Sequence, residues 1–430
     1  MQQFIVEMHL IINSYIMKKL FFLISVLTLA LSCSKDSGSS VNSEPLVINL
    51  SASDEAIANI GNTFTFEVLG RVINEKTGNI MISPYSLSAC LSMTANGAKG
   101  ATQDSMLKAL GFTGKTISQV NSYFEKVTTS ILKTDPSTKL SIANSIWYRN
   151  TISVKSEFIQ TTSDSYKAMV KGIDFNASSS VNTINKWASD KTNGLITKVI
   201  DEITPDNIMF LLNAVYFKAI WAKGFEFDSK KSKKMQFYQT NKVNTTVTMM
   251  INEHSYNSIV NENLSAVSIP YGNGAFEFLA FLPSETSSIG KMITDLTNES
   301  NFNSLIAQME SRKIILQLPK FKFKFDSRLN NILYSLGMGI AFDPFNADFS
   351  NAFNGLSDAH ISSVKQFNYI EVNEKGTEAA AVTVTGMDAT SMPVSPISIV
   401  FNRPFVFLIR EKSTGIVLFA GKIENPNLTE

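Results

Sequence analysis

The sequence predicts an α+β fold on three observations. Helical periodicity dominates the first half, strand alternation dominates the second, and the apolar content is enough for a large core. The chain has 430 residues, 44% of them hydrophobic and 17% charged. Length alone would allow more than one domain. Net charge is +1, so no bulk field draws the chain to nucleic acid or acidic membranes. The densest basic run, Ser229 to Lys234, reads as a solvated loop.

The N-terminus reads as a targeting segment. Met17-Lys18-Lys19 gives a positive start, and Leu20 to Leu31 is an apolar run too short to span a bilayer. Ser32-Cys33 and the polar tract Ser34 to Ser40 follow. The pattern is similar to a bacterial lipoprotein signal cleaved before Cys33, with lipid on its sulfur; Ala30 stands where such signals prefer Leu. An ordinary secretory signal with an incidental cysteine is the alternative. The expected division is 1–32 signal segment (true start Met17), 33–53 lipidated polar tether and 54–430 folded domain. Such a protein is exported and held in the cell envelope, outer-membrane-anchored at the surface or in the periplasm. Acylation of Cys33 would leave Cys90 without a disulfide partner, and Cys90 reads as a core thiol in an apolar helix.

Helical spacing begins near Ala56 and carries Ile57, Ile60, Phe64, Val68 and Val72. Gly78-Asn79 ends that segment. Ser83 is expected to cap the next helix, with Pro84 in its first turn, and Thr102 to cap the one after. Asn182 to Lys191 reads as a helix with Trp187 inward. Ile315 to Phe325 mostly alternates apolar with polar residues, as a half-buried strand does. Ala275 to Leu282 is a compact apolar strand. Val400 to Ile409 and Gly415 to Ile423 read as a hairpin buried on both faces.

Nothing in the pattern supports catalysis. Three histidines occur, and His254 and His360 sit in polar, loop-like contexts. No nucleophile elbow, zinc-binding helix motif, paired-cysteine motif or phosphate-binding glycine loop is present.

The most informative run is Glu371-Val372-Asn373-Glu374-Lys375-Gly376-Thr377-Glu378-Ala379-Ala380-Ala381-Val382-Thr383. Glu374 to Gly376 reads as a turn. One parity beyond it carries Thr377, Ala379, Ala381, Thr383 and Thr385; the other carries Glu378, Ala380, Val382, Val384 and Gly386. A strand with such small inward side chains could slide between two existing strands without a clash. No proline occurs from Thr377 to Met392, so every position keeps the N–H a central strand needs. Read alone, Thr377 to Ala381 would also suit a short helix.

This run resembles the hinge of the reactive-centre loop of inhibitory serpins, the serine protease inhibitors that trap targets by inserting a loop. Asn79 to Ser88, Leu212 to Trp221, Leu318 to Phe321, Phe401 to Phe405 and Phe419 to Ile423 also match that family in order. The resemblance runs from about residue 55 to residue 427. It implies a single-domain serpin fold with three β-sheets, about eight or nine helices and a mobile loop at about 374–396.

It also implies a suicide substrate that is not itself an enzyme. The loop offers a bond to a protease and forms an acyl-enzyme. It then inserts as an extra central strand and traps the protease covalently. The resemblance assigns the hinge to Glu374, Lys375, Gly376, Thr377, Glu378, Ala379, Ala380, Ala381 and Val382; Val382 is bulkier than the family's usual alanine. Counting from Glu374 as in the family places the scissile bond at Thr390-Ser391, with Met387-Asp388 and Ala389-Thr390 as alternatives. Small side chains before the cut suit elastase-like, subtilisin-like or papain-like endopeptidases.

Ser83, Ser86 and Asn213 match the shutter, where central strands part. Gln366 stands there where histidine is common. Trp221 matches the breach under the hinge, and Lys320 with Glu374 matches a hinge salt bridge. No cofactor, metal or nucleic acid is implied. The expected partners are a target endopeptidase and, through Cys33, a membrane; the expected state is a monomer. A non-inhibitory serpin acting as a binding or carrier module is the competing reading. A glycan-binding surface lipoprotein is a third, opposed by the lack of an aromatic-rich repeat.

Overall fold

Six strands form a central sheet whose order departs from the order of the chain. Across it run Phe321–Arg328, Ser363–Asn373, the two-residue Gly376–Thr377, Met209–Ile220, Lys139–Arg149 and Met169–Ile173. The computed structural model describes residues 44–205, 207–297, 299–356, 358–377 and 396–429. Ser363–Asn373 and Met209–Ile220 pair directly, in parallel, from Ser363–Phe210 to Asn368–Val215. Toward their C-terminal ends Gly376–Thr377 lies between them. Thr377 is antiparallel to both neighbours, opposite Val372 on one side and Ala219 on the other.

Met209–Ile220 reads as a continuous apolar run because both of its faces are covered. One face joins the main core with Leu211, Val215 and Phe217. The other lies under helix Ser180–Lys191, where Phe210, Leu212, Ala214 and Phe367 meet Trp147 and Trp187. Those two tryptophan rings pack edge to face at 6.3 Å. The expected inward position of Trp187 is therefore met.

A nine-stranded sheet packs behind, and a two-stranded one completes the set. Phe276–Pro283, Phe405–Glu411 and Val417–Ile423 are buried along their whole length. The last two form the expected hairpin, but Val400 is not part of it. Ile397–Val400 is a separate strand, parallel to Glu310–Pro319, and the chain breaks before Phe405 at Pro404, which has no N–H for a ladder. Ile315 to Phe325 is likewise two strands. Glu310–Pro319 belongs to the nine-stranded sheet and Phe321–Arg328 to the central one, and Lys320 is the crossing point.

Among the described residues there are nine α-helices, giving the α+β architecture expected. Ala52–Glu75 opens with a capping box between Ser51 and Asp54. Pro84–Ala95 is buried at every residue, Cys90 included. Two expected caps are corrected. Ser83 stands at the N-cap of that helix, but its hydroxyl donates to Leu418 O at 2.7 Å instead of capping. Gly100, not Thr102, precedes helix Ala101–Ala109; Thr102 Oγ1 lies inside the helix and accepts from Asp348 N at 2.9 Å. His254 is also not in a loop: it lies on strand Asn244–Val260, its ring 4.1 Å from that of Phe225. The described residues from Glu44 onward form one compact unit. Among the described residues no helix is long and apolar enough to cross a membrane.

Candidate functional site

The parting between the two central strands gathers most of the residues singled out in the sequence. At its mouth the carbonyls of the turn Asn373 to Gly376 accept two backbone bonds and one side-chain bond from a short loop. Trp221 N donates to Lys375 O at 2.8 Å, Phe227 N to Glu374 O at 2.8 Å, and Trp221 Nε1 to Asn373 O at 3.0 Å. The Glu374 carboxylate accepts from Ser232 Oγ at 3.0 Å and meets Lys320 Nζ at 2.9 Å. Burial pushes this carboxyl's pKa up, but the bonds from Lys320, the backbone and Ser232 outweigh it and hold it below its ordinary range. Lys320 can reach because it sits where the chain leaves one sheet for the other.

Gly376 has φ +143, and a Cβ there would lie 2.2 Å from Ala219 O. The close approach of three strands thus requires glycine. Thr377 follows and is 1% exposed. Its hydroxyl and that of Tyr271 are 2.6 Å apart. The Tyr271 ring stacks on Trp221, centroids 4.6 Å apart and planes within 10°.

Further down, where the two strands pair directly, a latch of amides spans three strands. Gln366 Nε2 donates to Asn213 Oδ1 at 2.9 Å and to Ser83 O at 2.8 Å. Gln366 Oε1 accepts from Ser83 N at 2.8 Å and Asn368 Nδ2 at 3.2 Å. Asn213 Nδ2 donates to Asn144 Oδ1 at 2.7 Å and to Ser86 Oγ. Gln366, Asn213 and Ser83 are each 1% exposed, and Ser86 is fully buried. Glutamine at 366 therefore completes a network using both ends of its amide. The site is made of amides, hydroxyls and one ion pair. These bonds fix the strands in place.

Ser83, Ser86, Asn213 and Gln366 thus meet in one cluster, and Glu374, Lys375, Gly376, Thr377, Trp221 and Lys320 in another. Cys33, Glu378, Ala379, Ala380, Ala381, Val382, Thr390 and Ser391 lie outside the described residues. Sequence reasoning missed Tyr271, Phe227 and Ser232, which reach the hinge only through the fold. It also missed Asn144 and Asn368. A signal existed for Asn144, an amide beside Ser145 between the apolar pairs Ile142-Ala143 and Ile146-Trp147.

Comparison with known proteins agrees with this geometry. The serpin (serine protease inhibitor) family model matches residues 59–426. The chain is 30% identical to the leukocyte elastase inhibitor of Xenopus laevis over 375 residues, covering 84% of this chain and 97% of that one. The thermophilic serpin tengpin in its native state superposes with TM-score 0.81 at 33% identity, covering 90% of this chain and 98% of that one. Human thyroxine-binding globulin complexed with thyroxine superposes with TM-score 0.79 at 27% identity, covering 88% and 100%.

Proposed function

Since this chain belongs to the serpin family, we propose that it inhibits endopeptidases as a suicide substrate. The loop beyond Thr377 would be cleaved at Thr390-Ser391 and then insert into the central sheet, trapping the protease as an acyl-enzyme. The observation that carries the reading is the parting itself: two parallel strands held apart at one end, with Thr377 already seated between them.

The register makes the reading specific. Thr377 lies opposite Val372 and Ala219. Continuing both antiparallel ladders six residues brings Thr383 opposite Gln366 and Asn213, which are themselves partners in the parallel pairing. The two ladders, extended independently, agree on the same residue. A threonine hydroxyl both donates and accepts, so it could replace the direct Gln366–Asn213 bond with a bridge. Val382 would fall opposite Phe367 and Ala214, in the apolar layer under helix Ser180–Lys191. Its bulk is compatible with that surrounding, beside so small a neighbour as Ala214.

Small residues before the proposed cut, and the likeness to an elastase inhibitor, support elastase-like targets first, then subtilisin-like and papain-like ones. The N-terminal pattern around Cys33 supports export and lipid anchoring in the cell envelope; intact mass of the mature N-terminus would test it. The likeness to a thyroxine-binding relative favours a second reading, a carrier that does not inhibit. Incubation with elastase, subtilisin, trypsin and papain separates the two. A band at the summed mass that survives boiling in SDS is the expected result, with the released C-terminal peptide fixing the scissile bond. Loop cleavage by these proteases without any such band, and without thermal stabilisation of the cleaved form, would favour the carrier.

A further inference from the structure

Thr377 follows Gly376 into the central sheet and is the first of the two to carry a side chain there, and something must hold it in the uncleaved protein. We infer that Tyr271 is the positioning residue that does so, a catch tying the hinge to the second sheet. Tyr271 ends strand Leu264–Tyr271 of the nine-stranded sheet, whereas Thr377 belongs to the central one. Among the described residues, the contact between their hydroxyls, 2.6 Å apart, is the only side-chain hydrogen bond either residue makes. Both residues are buried, Thr377 to 1% exposure and Tyr271 completely.

The catch is rigid. Trp221 stacks on one face of the ring at 4.6 Å, and Phe217 meets it edge-on at 5.3 Å. The backbone is tied as well, through a bridge between Trp221 and Tyr271 and a bond from Gly272 N to Ile220 O at 2.9 Å. Ile220 is in turn the ladder partner of Gly376. The phenol oxygen is thus fixed before Thr377 arrives. A Thr377 hydroxyl expelled with the hinge regains water, and the fixed phenol regains it once the hinge vacates the space beside it, but neither does so while the hinge is held in, so removing either oxygen shifts the hinge outward.

Hydrogen exchange of the uncleaved full-length protein, resolved at the Gly376 and Thr377 amides, tests the catch without any protease. In Tyr271→Phe the ring and its stacking survive and only the oxygen is lost. Exchange at these two amides should quicken about ten- to a hundredfold, while strand Val417–Ile423 is unchanged. Thr377→Val, which leaves the phenol without its partner, should act in the same direction and serves if the first variant folds poorly. The double variant Tyr271→Phe/Thr377→Val sets apolar groups of the same shape against each other and should return exchange to within a few-fold of the parent. Unchanged exchange in both single variants overturns the inference, as does a double variant that exchanges as fast as the singles.

A second readout rests on the inhibitory reading above: the single variants should turn over more as substrates, with more inhibitor consumed per protease trapped. If the parent traps no protease, that reading fails while the exchange result still decides the catch.

Discussion

If the proposed inhibition holds, replacing Thr377 by arginine should turn inhibitor behaviour into substrate behaviour. The magnitude follows from the position. Thr377 is 1% exposed, flanked by Val372 and Ala219 in the two ladders, with Tyr271 2.6 Å from its hydroxyl. Among the described residues the only side-chain oxygen bonded to it is the Tyr271 phenol, which cannot neutralise a guanidinium. Seating arginine there forfeits that bond, about 1 kcal/mol net, and buries an unpaired charge at a cost of several kcal/mol. A total near 5 kcal/mol slows the first step of insertion by a factor of about a thousand or more, at ~1.4 kcal/mol per tenfold. Hydrolysis of the acyl-enzyme then wins. The assay is a titration of protease by inhibitor, with SDS gels read for covalent complex and cleaved product. Thr377→Arg should give cleaved product almost alone, and its cleaved form should lack the thermal gain of the parent. A variant that traps protease with unchanged stoichiometry would refute the reasoning.

The remaining predictions concern the hinge and the latch. Gln366→Leu leaves the Ser83 N–H and Asn213 Oδ1 without a buried partner, whereas Ser83 C=O keeps Leu87 N and Asn368 Nδ2 keeps Met81 O; it should cost the uncleaved protein about 2–4 kcal/mol by urea denaturation. Gly376→Ala places a Cβ 2.2 Å from Ala219 O at φ +143, so it should expel the hinge and raise exchange at Thr377 with the rest of the sheet unaffected. Glu374 has a folded pKa below its ordinary 4.5; its contribution is therefore fully present above that value and is lost as pH falls through the lowered one. Hinge protection should then be flat across neutral pH and fall in acid, and Glu374→Gln should lower stability at neutral pH while flattening the acid-side decline; an equally steep decline in the variant would place the titrating group elsewhere.

Local physics made much of this molecule legible. The helix through Ile57, Phe64, Val68 and Val72 follows from spacing, and the buried hairpin from two apolar runs. The turn at Glu374 to Gly376 was visible in its residue types, and the structure places Gly376 and Thr377 beyond it as a short strand. What stayed hidden depends on distant contacts. Tyr271 meets Thr377 across 106 residues of sequence, and nothing in Ile269-Pro270-Tyr271-Gly272 announces it. Lys320 interrupts an alternation that reads as one strand, because the sequence does not say that the chain changes sheet there. Thr102 looks like a cap by residue type, yet Asp348 N claims its hydroxyl. Gln366 lacked the ring common at its position, and only the geometry shows its amide serving Ser83 and Asn213 together.

The central claim is that the gap between Met209–Ile220 and Ser363–Asn373 receives the loop. The most direct measurement is thermal unfolding of the protein before and after a single cut within residues 387–392. Insertion adds a strand bonded on both sides to the middle of the sheet, so the cleaved form should melt well above the intact one. An unchanged melting temperature after complete loop cleavage would contradict the account.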